Sequence, residues 1–326
     1  MEDNNNVKIK FKGQEKKINS VFIFKDGDFM IFVDKGNSKN YYSIIYDAKT
    51  LKPKHALNIV SLSYFFYLTE TEYGIQTEDN KFQIYEFNKE RTKSNMIQTI
   101  NLKKFSSPYK LSKASNGDIL LFYFYFGGMG IDVYRKNNNE ELYKLKSDIE
   151  TLYLDDIINI NEKEVLGYKK RYSPDYSIEI KVLNNENYKV IRENSIYRVI
   201  MLLSMYKVSN DKLISAGNNK LYIFDLNTLE LETIIQLSKI IKTILIRPKG
   251  NIFLITKNNY DPEDYYIDNI KIDYKTNELI LNETIVNINK AFNAHGSLSQ
   301  IENYPNNGFV HLVDYKEIII YDKYYD

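Results

Sequence analysis

The 326-residue chain contains no cysteine and no tryptophan. Without cysteine there are no disulfides, no thiolate metal ligands and no cysteine nucleophile. This fits a reducing compartment, and the expected location is the cytoplasm or nucleus. There are three histidines, His55, His295 and His311, none at the spacing of a zinc site. Only six of the 44 basic residues are arginine. The excess of Lys, Asn, Ile and Tyr reads as codon bias from an AT-rich genome. No apolar run nears the roughly 20 residues that span a bilayer. The longest, Val60 to Leu68, reads as a buried strand. Met1 to Asn6 is polar and acidic, without the basic start and apolar stretch of a secretory leader, so the expectation is not secreted. A net charge of +1 offers no global field for nucleic acid or an acidic membrane.

What is present is repetition. An alternating apolar strand ends in an aromatic or apolar residue, often followed by an acid. Seven copies occur, marked by Tyr46, Tyr85, Tyr134, Ile180, Phe224, Ile272 and Tyr321. Their separations are 39, 49, 46, 44, 48 and 49 residues. A turn and a strongly apolar strand precede most copies, as in Asp26-Gly27-Asp28 before Phe29–Phe32 and Asn116-Gly117-Asp118 before Ile119–Phe122. Asn-Gly and Asp-Gly supply the positive φ angles of tight hairpins. A further alternating strand follows each copy, as in Leu229–Ile235. Four-stranded antiparallel units at this period are propeller blades.

The expected fold is all-β: a seven-bladed β-propeller with four-stranded antiparallel blades, forming a single domain over residues 1–326. The blades fall near 17–54, 55–102, 103–147, 148–194, 195–238, 239–288 and 289–326. The last lacks room for its outer strand. The alternating stretch Val7–Phe11 is expected to supply it and close the ring, which removes an open sheet edge.

The pattern resembles the WD-repeat family across essentially the whole chain. In the fifth repeat, Leu213–Lys220 precedes Leu221-Tyr222-Ile223-Phe224-Asp225, with Phe224 where the family has Trp. In the seventh, Ala294-His295 stands where the family has Gly-His, and Tyr321-Asp322 replaces Trp-Asp. No repeat completes the family's His-Ser-Asp-Trp constellation. The resemblance implies a WD40-like propeller that binds proteins.

Chemistry is sparse. His295 reads as a loop hydrogen-bonding residue, His311 as a packed core residue, and His55 as solvated near a turn. Gly127-Gly128-Met129-Gly130 lacks the Lys-Ser/Thr of a phosphate-cradling loop and reads as a flexible connection. In the aromatic run Phe122–Phe126, alternate residues are expected to pack between blades. Tyr125, Phe126 and Met129 are the part expected at the surface. Two long second-to-third-strand loops, Tyr168 to Tyr176 and Lys257 to Tyr266, are rich in tyrosine and charge. Tyrosine suits interface anchors, because it buries a large area and keeps a polar tip. The candidate partner-binding residues are therefore Tyr168, Lys169, Lys170, Arg171, Tyr172, Tyr260, Asp264, Tyr265, Tyr266 and Met129. No catalytic, cofactor or metal residue is assigned.

The expected function is a non-catalytic protein-interaction scaffold, monomeric by itself or one subunit of a larger complex. It would bind a protein partner through loops on one propeller face. One alternative is a ligand-binding or hydrolytic propeller using acids such as Asp155-Asp156 near the central channel. Another is membrane or phosphoinositide recruitment through Lys169-Lys170-Arg171. Neither nucleic acid nor membrane is the expected partner.

Overall fold

The computed structural model describes residues 6–10, 18–34, 41–59, 65–77, 81–102, 108–125, 128–136, 142–146, 153–171, 176–200, 203–246, 252–258, 264–287, 298–304, 308–313 and 317–321. These contain no helix and form seven four-stranded antiparallel sheets. Strand β1 is Asn6–Lys10. The first sheet holds β2 (Ile18–Ile23), β3 (Phe29–Asp34), β4 (Tyr41–Tyr46) and β5 (Pro53–Ile59). The second holds β6 (Phe65–Tyr67), β7 (Glu72–Gln76), β8 (Lys81–Phe87) and β9 (Ser94–Asn101). The third holds β10 (Pro108–Lys113), β11 (Ile119–Tyr125), β12 (Gly128–Lys136) and β13 (Tyr143–Leu145). The fourth holds β14 (Asp156–Asn159), β15 (Glu164–Arg171), β16 (Ser177–Asn184) and β17 (Val190–Tyr197). The fifth holds β18 (Tyr206–Lys207), β19 (Lys212–Gly217), β20 (Lys220–Asp225) and β21 (Leu231–Gln236). The sixth holds β22 (Ile240–Ile246), β23 (Ile252–Lys257), β24 (Tyr265–Asp273) and β25 (Glu278–Asn287). The seventh joins β26 (Leu298–Tyr304), β27 (Gly308–Val313) and β28 (Glu317–Tyr321) to β1.

All seven repeat markers sit on the third strand of a sheet: β4, β8, β12, β16, β20, β24 and β28. The first strand completes the last sheet, as its alternation predicts, with Asn6 opposite Tyr321 and Lys10 opposite Glu317. Strand β5 runs through residue 54 and β17 through residue 194, so two sheets end a few residues beyond the expected limits.

The chain divides into two compact units. Residues 1–103 with 289–326 carry sheets seven, one and two, and residues 104–288 carry sheets three to six. Within each unit, sheets pack face to face through their second strands. Phe29, Ile31 and Val33 of β3 join a core with Leu312 and Ile318 of the seventh sheet. The alternate residues Met30 and Phe32 pack with Tyr73 and Phe87 of the second. Strand β15 behaves alike: Val165 packs with Leu120 and Phe122, whereas Leu166 and Tyr168 pack with Leu213 and Phe224. A strand covered on both faces needs apolar residues at every position, which is why the second strands read as continuous apolar runs.

Two turn designs repeat. Before the second strand, Gly27 (φ 91°) and Gly117 (φ 89°) adopt the left-handed backbone expected of Asp-Gly and Asn-Gly. After the third strand, an Asp or Asn caps a six-residue turn. Asp47 Oδ1 accepts the N–H groups of Lys49 and Thr50, and Asp225 Oδ1 those of Asn227 and Thr228. Asn184 Oδ1 likewise accepts the N–H of Glu186. Four residues beyond each cap, Leu51, Tyr188 and Leu229 hold φ of 55–61°. Non-glycine residues there cost roughly 1 kcal/mol. Buried Tyr188 and Leu229 offset that through core packing. At Asp47 and Asp225 the acid that closes the repeat is thus a turn cap, whereas after Glu86 the cap is Asn88.

The structure corrects several sequence readings. Tyr168 to Arg171 belong to β15, Gly128 to Gly130 to β12, and Tyr265 and Tyr266 to β24, where loops were expected. A hairpin strand tolerates polar residues wherever its end outruns the packed core. His55 lies on β5, half-buried, with Nε2 3.4 Å from Ser94 Oγ rather than free in solvent, and burial lowers its pKa. Of the run Val60–Leu68, only Phe65–Tyr67 form strand among the described residues. His295 lies outside the described residues, as does the side chain of His311.

Candidate functional site

One end of the fourth sheet gathers four of the ten candidate residues, Tyr168 to Arg171. There β14 begins, β15 ends, β16 begins and β17 ends, and Arg171 stands in register with Ser177, and Ser177 with Tyr197. Tyr153 is 51% exposed, Tyr176 44% and Tyr197 67%. Among residues whose side chains are described, these are the only exposed tyrosines, and no phenylalanine is exposed. Among the described side chains, aromatic exposure is therefore confined to this end.

Three cations accompany the rings. Lys169 Nζ lies 5.5 Å from the Tyr153 ring centroid. Exposed Arg171 pairs with Glu179 one strand away. Arg198, exposed and at φ 63°, donates its backbone N–H to Tyr176 O at 2.6 Å.

Beneath lies a polar layer. Lys170 Nζ donates to Leu203 O at 3.1 Å, and its backbone N–H donates to Asp155 Oδ2 at 2.6 Å. Burial pulls the Lys170 ammonium below its usual range, assisted by Lys110 and opposed by Asp155 and Asp156. Burial also raises the Asp155 carboxyl. Asp156 pairs with Lys110 and accepts from the Tyr168 hydroxyl at 3.3 Å. Tyr168 is fully buried, and burial pushes its phenol up. The acids and Lys170 thus neutralise one another inside the sheet end. Among the described residues, no group of three His, Asp or Glu stands close enough to hold a metal ion.

The second candidate segment differs. Tyr265 and Tyr266 are half-buried at the start of β24. The Tyr266 hydroxyl donates to Asp264 Oδ2 at 3.0 Å, and Lys239 Nζ lies 4.1 Å from its ring centroid. Lys239 in turn reaches Asp268 Oδ1 at 2.8 Å, and Asp268 accepts Thr256 Oγ1 at 2.6 Å. Tyr266 therefore braces the sixth sheet. Met129 lies on β12 opposite Phe124. Tyr172 and Tyr260 lie outside the described residues. Tyr153, Tyr197 and Arg198 were not anticipated. Their signal was the alternation of Arg192-Glu193-Asn194-Ser195-Ile196-Tyr197, which puts Tyr197 on the same strand face as Glu193 and Ser195.

The fold is that of WD40-like β-propellers. The chain is similar to the WD40 β-propeller domain of Doa1, at 12% identity and TM-score 0.56, over 98% of both chains. It is similar to the Myceliophteria thermophila Cps50 (Swd1) β-propeller domain, at 9% identity and TM-score 0.60, over 98% of this chain and 99% of that one. It is also similar to the dihydro-heme d1 dehydrogenase NirN in complex with DHE, at 11% identity and TM-score 0.57, over 91% of this chain and 61% of that one. No protein-family model and no curated protein matches the sequence. No helix of the described residues is long and apolar enough to cross a membrane.

Proposed function

We propose that this chain is a non-catalytic protein-interaction scaffold that docks a partner protein on the exposed end of the fourth sheet. The observation that carries this is that, among the described side chains, exposed tyrosine is confined to that end. The likeness to WD40 propeller domains supports interaction in general, although a propeller fold by itself decides neither partner nor catalysis. Tyr197 ends strand β17 and the Tyr176 carbonyl is bonded to the Arg198 N–H, so part of the surface is ordered before binding, which lowers its entropic cost.

Covering the exposed parts of the three rings would remove roughly 300 Å² from water, about 7 kcal/mol gross. Association costs on the order of 4–15 kcal/mol. The rings can anchor a partner, but the neighbouring polar groups must contribute for binding to be firm.

The test is affinity capture from native extract with quantitative mass spectrometry. The Tyr153→Ser/Tyr176→Ser/Tyr197→Ser variant should lose a protein that the parent recovers. The Met96→Ser/Ile234→Ser/Ile280→Ser variant, which removes exposed apolar groups elsewhere, should retain it. Equal recovery by all three proteins would overturn the proposal.

A further inference from the structure

The cations at the fourth-sheet end are not equivalent. Lys110 is paired with Asp156, Lys170 is turned inward to Leu203 O, and Arg171 is paired with Glu179. Among the described residues Lys169 and Arg198 make no ion pair, although Lys169 acts on half-buried Asp155 at longer range. Lys169 stands over the exposed Tyr153 ring, and the exposed Arg198 donates its backbone N–H to the carbonyl of exposed Tyr176. A ring flanked by an uncommitted cation favours a ligand that offers carbon to the ring and negative charge to the cation.

We infer that the docked segment is an acidic, extended peptide. Its carboxylates meet Lys169 and Arg198, and its apolar side chains lie on Tyr153, Tyr176 and Tyr197. This deepens the scaffold reading and rests on it. Geometry limits the segment. Lys169 lies level with Glu179, and Arg198 follows β17 level with Tyr176, so they are two strand spacings across and three residues along, about 14 Å apart. Extended chain advances about 3.3 Å per residue, so the two carboxylates should be about four positions apart. Apart from Lys170, which turns inward, only Lys169 and Arg198 among the described residues of this end are cations without an ion pair, too few for firm attachment to a charged membrane, where each contributes about 1 kcal/mol.

The probe is a fluorescein-labelled ten-residue peptide of alternating Glu and Leu, compared with its Gln–Leu counterpart by fluorescence anisotropy. At 50 mM NaCl the Glu peptide should bind about tenfold or more tighter than the Gln peptide. That preference should shrink at 300 mM NaCl, where the Debye length approaches 5 Å. Lys169→Glu/Arg198→Glu should abolish the preference. Equal binding of the two peptides, or no binding of either, would overturn the acidic assignment. So would a preference that survives the charge reversal, or tighter binding to vesicles containing phosphoinositide. Capture of a partner protein that depends on the three tyrosines but ignores the charge reversal would leave docking standing and remove only the acidic partner. Loss of tyrosine-dependent capture altogether would remove the docking surface itself.

Discussion

Replacing Asp118 should be among the most damaging single changes in residues 104–288. Its carboxylate is 1% exposed and lies in the turn between β10 and β11. It accepts Arg135 Nε at 2.8 Å and Nη2 at 2.7 Å, the Tyr188 hydroxyl at 2.9 Å and Asn116 Nδ2 at 3.0 Å. Tyr188 belongs to the turn after β16, so the network ties the third sheet to the fourth. Asn116 and Arg135 both reach Asn185 O, which strengthens the tie. Asp118→Ala strands the hydroxyl of Tyr188, itself 2% exposed, and frees a guanidinium. Breaking a buried ion pair by removing one partner costs about 3–5 kcal/mol, and because the Arg135 side chain is 35% exposed and can rehydrate, the loss should fall toward the low end of that range. Tyr188→Phe removes one bond to a charged acceptor, about 1.5–3 kcal/mol. In Asp118→Ala/Tyr188→Phe that bond is already gone, so the double variant should resemble Asp118→Ala alone. The matched control is Asp26→Ala. Asp26 reaches Arg91 at 2.5 Å, but its side chain is 55% exposed, and Arg91 retains Asp28 and Glu70. An exposed pair contributes about 0–1 kcal/mol. Urea unfolding followed by circular dichroism reads all four variants. The reasoning fails if Asp118→Ala costs no more than Asp26→Ala, or if the Asp118 and Tyr188 effects add.

Three other outcomes follow from the same kind of reading. Burial pushes the Asp225 carboxyl up, but the N–H groups of Thr228 and Asn227 and the Lys212 ammonium hold it below its ordinary value of 3.8. A depressed folded-state pKa stabilises above the unfolded value and is lost as pH falls through the folded one. Asp225→Asn keeps the cap, as Asn184 does, and removes the charge. Its thermal midpoint should lie below the parent's at pH 7 and converge on it below about pH 4, and a constant gap would contradict the titration. A Cβ on Gly74 would stand 2.1 Å from the Phe82 ring, and one on Gly167 2.3 Å from Leu154 Cδ1. Gly74→Ala and Gly167→Ala should each cost about 1–3 kcal/mol by overpacking, measurable by urea unfolding. Deleting residues 1–12 unpairs β28 from β1 and bares a sheet edge. Light scattering on warming should show earlier aggregation than the full chain.

The fold was legible because two independent periods coincide. Alternation marks a strand, and a spacing of 39–49 residues marks its recurrence, so all seven markers fall on third strands. The site was only partly legible. Alternation assigns Tyr168 and Lys169 to opposite faces of a strand, but it does not say where the packed core stops along that strand. Lys169-Lys170-Arg171 was therefore read as a loop, although it continues β15 in register with Ser177, Ile178 and Glu179. Nor does the pattern separate a ring left in solvent, Tyr197, from one enclosed by a lysine and a sheet end, Tyr266. That distinction depends on what the neighbouring sheet covers, which is long-range information. The role of the terminal acid was also hidden, because a turn cap and a solvated acid have the same local sequence.

Strand length gives a physical reason for the exposure at the fourth sheet. Strands β15, β16 and β17 each have eight residues, whereas β19, β20 and β21 of the adjoining fifth sheet each have six. Two extra residues extend a strand by about 7 Å. The opposite ends are held level: Lys207 Nζ donates to Ile160 O at 2.7 Å, and Arg192 Nη2 reaches Leu226 O at 3.5 Å. The excess length must then emerge where β15 and β17 finish. Arg171 and Tyr197 are its exposed residues, whereas Lys170 turns inward to Leu203 O and Ile196 packs on the core shared with the fifth sheet. The excess length carries the exposed Tyr197 ring and the Arg171 cation on a hydrogen-bonded ladder. That is the arrangement a second chain can bind without first ordering it.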